Sequence, residues 1–201
     1  MNSQAVVSSG GIAYPLSEMT CVVGSIDGPT VILGADSAAV GPDAEIYTPP
    51  EPKVFTCGPY VMGVCGSYRV AQVLRCQAEL PEPPTPADLG PFLIREVAPT
   101  ISDLLEAEGV VASGHAYLGD KVALLLGYQG QLWHIGSDLT VLPEVEFGAI
   151  GSGRHRAYAA LDALKTAGVE PARRRLELAL ETVAKYTATV RPPWHFVRGE
   201  G

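Results

Sequence analysis

At 201 residues, 47% apolar and 18% charged, the chain is long enough for one well-buried domain and too short for two comfortable ones. A net charge of −8 without any run of Lys or Arg argues against a nucleic-acid partner, and no apolar run reaches the roughly eighteen residues of a membrane span. Cys21, Cys57, Cys65 and Cys76 form no C-x-x-C pair. They read as small buried hydrophobes in a reducing cytosol, so the expected location is cytoplasmic.

Residues 1–19, with Ser8-Ser9-Gly10-Gly11, show neither helical nor strand periodicity and read as a flexible leader ahead of one domain over 20–201. They lack the charged start and apolar centre of a secretory signal. The domain opens with two apolar strands, Thr20 to Ile26 and Val31 to Ala35, joined at Asp27-Gly28, and the second ends in Asp36-Ser37. A turn at Gly41-Pro42-Asp43, a short strand at Glu45-Ile46-Tyr47 and a stiff Pro49-Pro50-Glu51-Pro52 connector follow. Strands at Lys53–Cys57 and Tyr60–Cys65 flank Gly58-Pro59.

From Ser67, placed to cap a helix, Val70, Val73, Leu74 and Gln77 fall on one helical face. A second helix starts near Pro86-Ala87-Asp88 and runs through Leu89, Phe92, Leu93, Val97, Ile101, Leu104 and Leu105, with a kink expected at Pro99. Strands return at Val110–Tyr117, Val122–Tyr128, Gln131–Ile135, Leu139–Leu142 and Glu146–Ile150. Gly151-Ser152-Gly153 opens a third helix (Ala157, Leu161, Leu164), which Gly168 stops. Pro171 starts a fourth, with a stripe of Leu176, Leu180, Val183 and Ala184, and a last strand covers Trp194–Val197. Segregated runs of strands and helices predict an α+β fold: two stacked antiparallel sheets with a helix pair outside each.

A threonine hydroxyl needs a base to act as a nucleophile, and an N-terminal Thr carries one in its own α-amine, which titrates near about pH 8. Such a site also needs a cation, an acid to orient it, and N–H groups for the developing oxyanion. Thr20, Lys53, Asp36 and the turn Cys65-Gly66-Ser67 supply one of each.

Thr20 at the first strand, Gly34-Ala35-Asp36-Ser37, Lys53-Val54-Phe55, Met62-Gly63-Val64-Cys65-Gly66-Ser67 and Ala149-Ile150-Gly151-Ser152-Gly153 occur in that order. In these motifs the chain resembles the N-terminal-nucleophile (Ntn) hydrolases of the proteasome β-subunit type, including the bacterial ring peptidase that works with an unfoldase. The resemblance implies a four-layer αββα sandwich and a peptide or amide substrate. It also implies a homo-oligomeric ring with the site facing an interior chamber; an ATPase unfoldase is a candidate partner on which the sequence is silent, and no cofactor is expected. Carried over by position, Thr20 is nucleophile and base, Lys53 tunes the amine, and Asp36 orients Lys53. Gly66 N–H stabilises the oxyanion, and Ser152 joins the network around the amine.

Two features depart from the family pattern. The acid-and-serine pair expected near the end of the fourth helix has no convincing counterpart in Lys185-Tyr186-Thr187-Ala188-Thr189-Val190-Arg191-Pro192-Pro193, which holds no Asp or Glu, and Met19 stands where self-processing precursors carry Gly. A Met19-Thr20 junction resembles a translation start, so the active form is expected to begin at Thr20. The alternatives are a catalytically silent ring or interaction subunit that keeps its leader, and a small-molecule amidase of the same superfamily. Cys21 would be the nucleophile only after cleavage behind Thr20. His115, His134, His155 and His195 lack ligand spacing, so no metal is expected.

Overall fold

The computed structural model describes residues 20–41, 45–85, 88–111, 117–119 and 121–199. The expected leader, Pro42-Asp43, Pro86-Ala87, His115 and most of the strand expected at Val110–Tyr117 lie outside them. β1 (Cys21–Asp27) and β2 (Thr30–Ala35) form the opening hairpin, with Asp27 paired to Thr30. The two-residue loop is therefore Gly28-Pro29 rather than Asp27-Gly28. Gly28 takes φ +62 in the loop's first position, a left-handed conformation that costs glycine little.

A small β-ladder pairs β3 (Ala39–Val40) with β4 (Ile46–Tyr47). β5 (Val54–Cys57) and β6 (Tyr60–Cys65) then lead into α1 (Tyr68–Gln77). Next come α2 (Leu89–Phe92), a π-helical turn (Leu93–Val97) and α3 (Ala98–Ala107). β7 (Ala123–Tyr128), β8 (Gln131–Ile135), β9 (Val141–Glu144) and β10 (Phe147–Gly151) precede α4 (Arg154–Thr166) and α5 (Ala172–Tyr186). β11 (His195–Arg198) follows. One four-stranded sheet has the order β10-β1-β2-β11, and a five-stranded sheet has the order β5-β6-β7-β8-β9; their pairings are antiparallel.

Strand alternation explains why both sheets are so apolar. In β1 and β2, Cys21, Val23 and Ile32 join Leu161, Leu176, Leu180 and Val183 of α4 and α5, while Val22, Val31, Leu33 and Ala35 face the other way. In β6 and β7, Val61, Cys65 and Leu125 meet that second set, while Met62, Val64, Leu124 and Leu126 join Val70, Leu74, Leu93 and Ile101. Side chains of period two with both faces covered leave few polar positions. Glycine sets the closest approach between the sheets: a Cβ on Gly63 of β6 would lie 2.5 Å from Val22 Cγ1 of β1.

Several expectations need correction. Ser67 precedes α1 without capping it through its side chain, and Gln77 is exposed while Val70, Val73 and Leu74 are buried. At Pro99, where a kink is expected, the helical run is irregular: a π turn over Leu93–Val97 stands just before it, and the proline lies in the first turn of α3. Val110 and Val111 are not strand; their N–H groups donate to the Leu105 carbonyl and close α3. Leu139, at φ +63, belongs to a turn in which Gly136 N–H donates to the Thr140 carbonyl, so β9 starts only at Val141. Pro171 is the N-cap of α5 rather than part of its first turn. No helix among the described residues is long and apolar enough to cross a membrane.

Candidate active site

Thr20 stands immediately before β1 and is 5% exposed. The hairpin register continues past the last strand pair, so Asp36 sits opposite Cys21. Asp36 N–H donates to the Cys21 carbonyl (3.2 Å), and Cys21 N–H donates to Asp36 Oδ1 (2.9 Å). Asp36 Oδ2 accepts from Ala38 N–H at 3.0 Å, the local turn that an Asp side chain commonly makes with backbone two residues on. Both carboxylate oxygens are thus held by backbone before any cation is considered.

Lys53 enters from the other sheet, just ahead of β5, where its carbonyl accepts from Val64 N–H at 3.0 Å. Its ammonium has three donors and uses them on Thr20 Oγ1 (3.0 Å), Asp36 Oδ1 (2.9 Å) and the Ala38 carbonyl (2.6 Å). Lys53 is 6% exposed and Asp36 fully buried. A desolvated lysine fixed by three partners, one of them a threonine hydroxyl, cannot be a surface side chain that happens to begin a strand.

The carbonyl of Thr20 is held as closely as its hydroxyl. Gly151, paired with Cys21 and at φ +90, packs so tightly that a Cβ there would fall 2.2 Å from Thr20 O. Gly153 N–H and Ser152 Oγ each donate to the same oxygen at 3.4 Å. Ser152 therefore meets Thr20 through its carbonyl. Gly66, at φ +98, ends β6 against Lys121 and Val122, where a Cβ would lie 2.9 Å from Lys121 O. Its strand runs toward the Thr20 end of β1, and a cleft of about 380 Å³ is lined by Cys65 and Gly151 together, with Lys121, His134 and Arg154. Cys65, the residue before Gly66, and Gly151 thus border one space.

Burial raises the Asp36 carboxyl above the ordinary aspartate range; the Lys53 charge and the bonds from Cys21, Lys53 and Ala38 pull against it. Burial, with the Asp36 charge second, also pushes the Cys21 thiol far up, which keeps it protonated and removes it as a nucleophile. Among the described residues no group of three or more His, Cys, Asp or Glu side chains is arranged to hold a metal ion. Sequence reasoning missed the Ala38 carbonyl and the role of Gly151, since a backbone acceptor and a close approach have no residue-type signature.

No family model matches the chain, and no curated protein matches it by sequence. Solved structures do match. BPH from Thiobacillus denitrificans, in complex with epoxomicin, superposes with a TM-score of 0.72 at 20% identity over 90% of this chain and 98% of its own. Eukaryotic HslV from Trypanosoma brucei gives 0.67 at 19% identity, covering 90% of this chain and 100% of its own. Anbu (ancestral beta-subunit) from Yersinia bercovieri gives 0.62 at 15% identity, covering 90% and 81%. The fold is that of the proteasome-like subunits. At these identities the likeness concerns fold, and the chemistry has to come from the residues around Thr20.

Proposed function

We propose that this chain is a proteasome-like threonine peptidase or amidase that cleaves amide bonds through an acyl-enzyme ester on Thr20, exposed as the N-terminus by loss of residues 1–19. Residues 20–201 form its single catalytic domain, a four-layer αββα sandwich. The observation that carries the reading is the Lys53 ammonium, buried and hydrogen-bonded at once to Thr20 Oγ1 and Asp36. A merely structural Thr at a strand start has no need of a buried cation on its hydroxyl.

In the proposed reaction the free amine of Thr20 takes the hydroxyl proton as Oγ1 attacks the substrate carbonyl. Lys53, held by Asp36, stabilises the charge that develops on Oγ1. Gly66 N–H receives the oxyanion, where a positioned donor is worth most. The amine then passes its proton to the departing amine of the substrate. Water, activated by the same α-amine, hydrolyses the ester and restores Thr20. Ser152, with Gly151 and Gly153, fixes the Thr20 backbone so that the amine and hydroxyl stay together.

We further propose a cytoplasmic homo-oligomeric ring that acts on peptide or amide substrates, with an ATPase unfoldase as partner and with no nucleic acid or membrane involved. The fold is shared with Anbu, which in Pseudomonas aeruginosa forms a helical assembly, and this supports assembly from repeated subunits.

The test pairs the intact mass of the purified protein with trapping by epoxomicin, the compound bound in the BPH structure. Adduct on a chain starting at Thr20, absent from Thr20→Ala, is the expected result. Full activity in a chain that retains residue 1 would overturn the reading. No adduct on a verified free Thr20 would make the chain a silent ring subunit.

A further inference from the structure

We infer that the cleft bordered by Cys65 and Gly151 is a subsite for acidic side chains on the departing half of the substrate, with Arg154 and Lys121 as its specificity-determining residues; this rests on the reading of Thr20 as an N-terminal nucleophile. The cleft holds about 380 Å³ and begins at the reacting group. Gly151, in its wall, lies so close to Thr20 that a Cβ there would fall 2.2 Å from the Thr20 carbonyl oxygen. Arg154 Nη1 donates to the Gly151 carbonyl at 3.2 Å, which puts the guanidinium two residues' contacts away from Thr20.

Sheet order gives the cleft its side. β5 and β7 flank β6 on opposite sides. Lys53, just ahead of β5, draws the Thr20 hydroxyl one way (3.0 Å). The cleft opens the other way, past Ala123 of β7, His134 of β8 and Asp138 in the turn beyond. The main chain of Thr20 rests on that second side, where its carbonyl accepts from Gly153 N–H and Ser152 Oγ. In the proposed reaction the acyl half stays on the hydroxyl, and the α-amine, a main-chain group of Thr20, passes its proton to the departing amine. The departing half therefore leaves over Gly151 and along the cleft.

The lining is basic in a chain that has 22 acidic residues against 14 basic ones. Lys121 and Arg154 are both exposed, and neither forms an ion pair among the described residues. Arg154 stands in the first turn of α4, where the helix dipole opposes a cation and no acid offsets it. The acids nearby are already engaged: Asp138 Oδ1 accepts from Thr140 N–H at 3.0 Å, and Glu144 Oε1 accepts from the Tyr158 hydroxyl at 2.6 Å. Burial holds the His134 imidazole below its usual range, with Glu144 and Asp138 pulling it up and Arg154 down. At neutral pH it therefore adds a hydrogen bond and no charge. A guanidinium that spends one donor on Gly151, with an ammonium in the same cleft, pairs with a carboxylate and repels a lysine.

The test uses the chain that begins at Thr20 and two internally quenched peptides, identical except that both residues after the scissile bond are Glu in one and Lys in the other. Wild-type kcat/KM should favour the Glu peptide by about tenfold. That ratio should fall to about one or below in Lys121→Glu and in Arg154→Glu. Because it is taken within each variant, a general loss of activity or of folded protein does not move it. A fall in one variant alone supports the inference and assigns the recognition to that residue. A wild-type ratio near one, or a ratio unchanged in both variants, would overturn it. No cleavage of either peptide by a chain verified to start at Thr20 defeats the nucleophile reading instead. Fluorescence anisotropy of the same peptides on Thr20→Ala then decides the cleft by itself: tighter binding of the Glu peptide marks it as acid-selective, and equal binding removes it.

Discussion

Lys53 and Asp36 form an ion pair at 2.9 Å in which the lysine side chain is 7% exposed and the carboxylate is not exposed at all. Two desolvated charges are worth keeping only where geometry satisfies them fully, and here each has two further partners besides the other. Removing one strands the other. Lys53→Met should destabilise the fold by about 3–5 kcal/mol in chemical denaturation. It should also lower kcat by at least about a hundredfold with little change in KM, because the lost bond acts on the reacting oxygen. Lys53→Arg should not rescue activity, since a planar fork cannot reproduce three bonds from one nitrogen. Wild-type kcat in Lys53→Met would remove Lys53 from the mechanism.

Asp36 must be ionised to hold Lys53, yet burial raises its pKa. As the pH falls, it is therefore expected to take up a proton before exposed aspartates do, and activity should be lost on the acid side at a pH above the ordinary aspartate range. The stability effect has the opposite sign. A carboxyl with a raised folded pKa binds more protons folded than unfolded between the two pKa values, so its contribution to stability falls as pH rises through that window. Carboxyl-carbon NMR of Asp-labelled protein checks both. A midpoint for Asp36 at or below the exposed ones would show that the pair and its hydrogen bonds outweigh burial.

Much of this was legible in the chain. Apolar runs punctuated by Gly28, Gly58-Pro59 and Gly130 mark the hairpins, and the periods of α4 and α5 place Leu161, Leu176, Leu180 and Val183 inside. Thr20, Asp36 and Lys53 were legible as a set through the cation and acid that an N-terminal threonine needs and through the order of motifs resembling the proteasome β-subunit type, and in the structure Lys53 bonds both of the others. What escaped depends on tertiary backbone geometry. Val110-Val111 have strand composition, but their N–H groups close α3. The π turn before Pro99, the Ala38 acceptor and the close fit of Gly151 on Thr20 each involve main-chain atoms that every residue type shares.

That close fit separates two kinds of glycine. Gly151→Ala would add a methyl 2.2 Å from Thr20 O at a residue with φ +90, whereas Gly168→Ala, at φ +69, meets nothing within 4 Å. Gly168→Ala should cost about 1 kcal/mol from backbone conformation alone and leave activity intact. Gly151→Ala should cost roughly 3 kcal/mol or more and abolish turnover, because either the turn or Thr20 must move. Denaturation midpoints and rates of the two variants give the comparison. Equal stability and activity would mean that the turn is not held against Thr20.

The cysteines offer a test of the site's microenvironment that does not depend on a substrate. Cys76 is exposed on α1, while Cys21, Cys57 and Cys65 are buried. Burial raises the thiols of Cys21 and Cys57, and Cys21 has the Asp36 charge against it as well. Iodoacetamide on the native protein near neutral pH should therefore add one label, on Cys76, and Cys76→Ser should add none on the same timescale. Asp36→Asn removes the adjacent negative charge, yet Cys21 should stay unlabelled while the fold holds, because burial is the larger cause. Peptide mass spectrometry after quenching reads each site. Rapid labelling of Cys21 in the wild-type protein would show that the Thr20 end of β1 opens to solvent, contrary to the buried geometry on which the Lys53 bond depends.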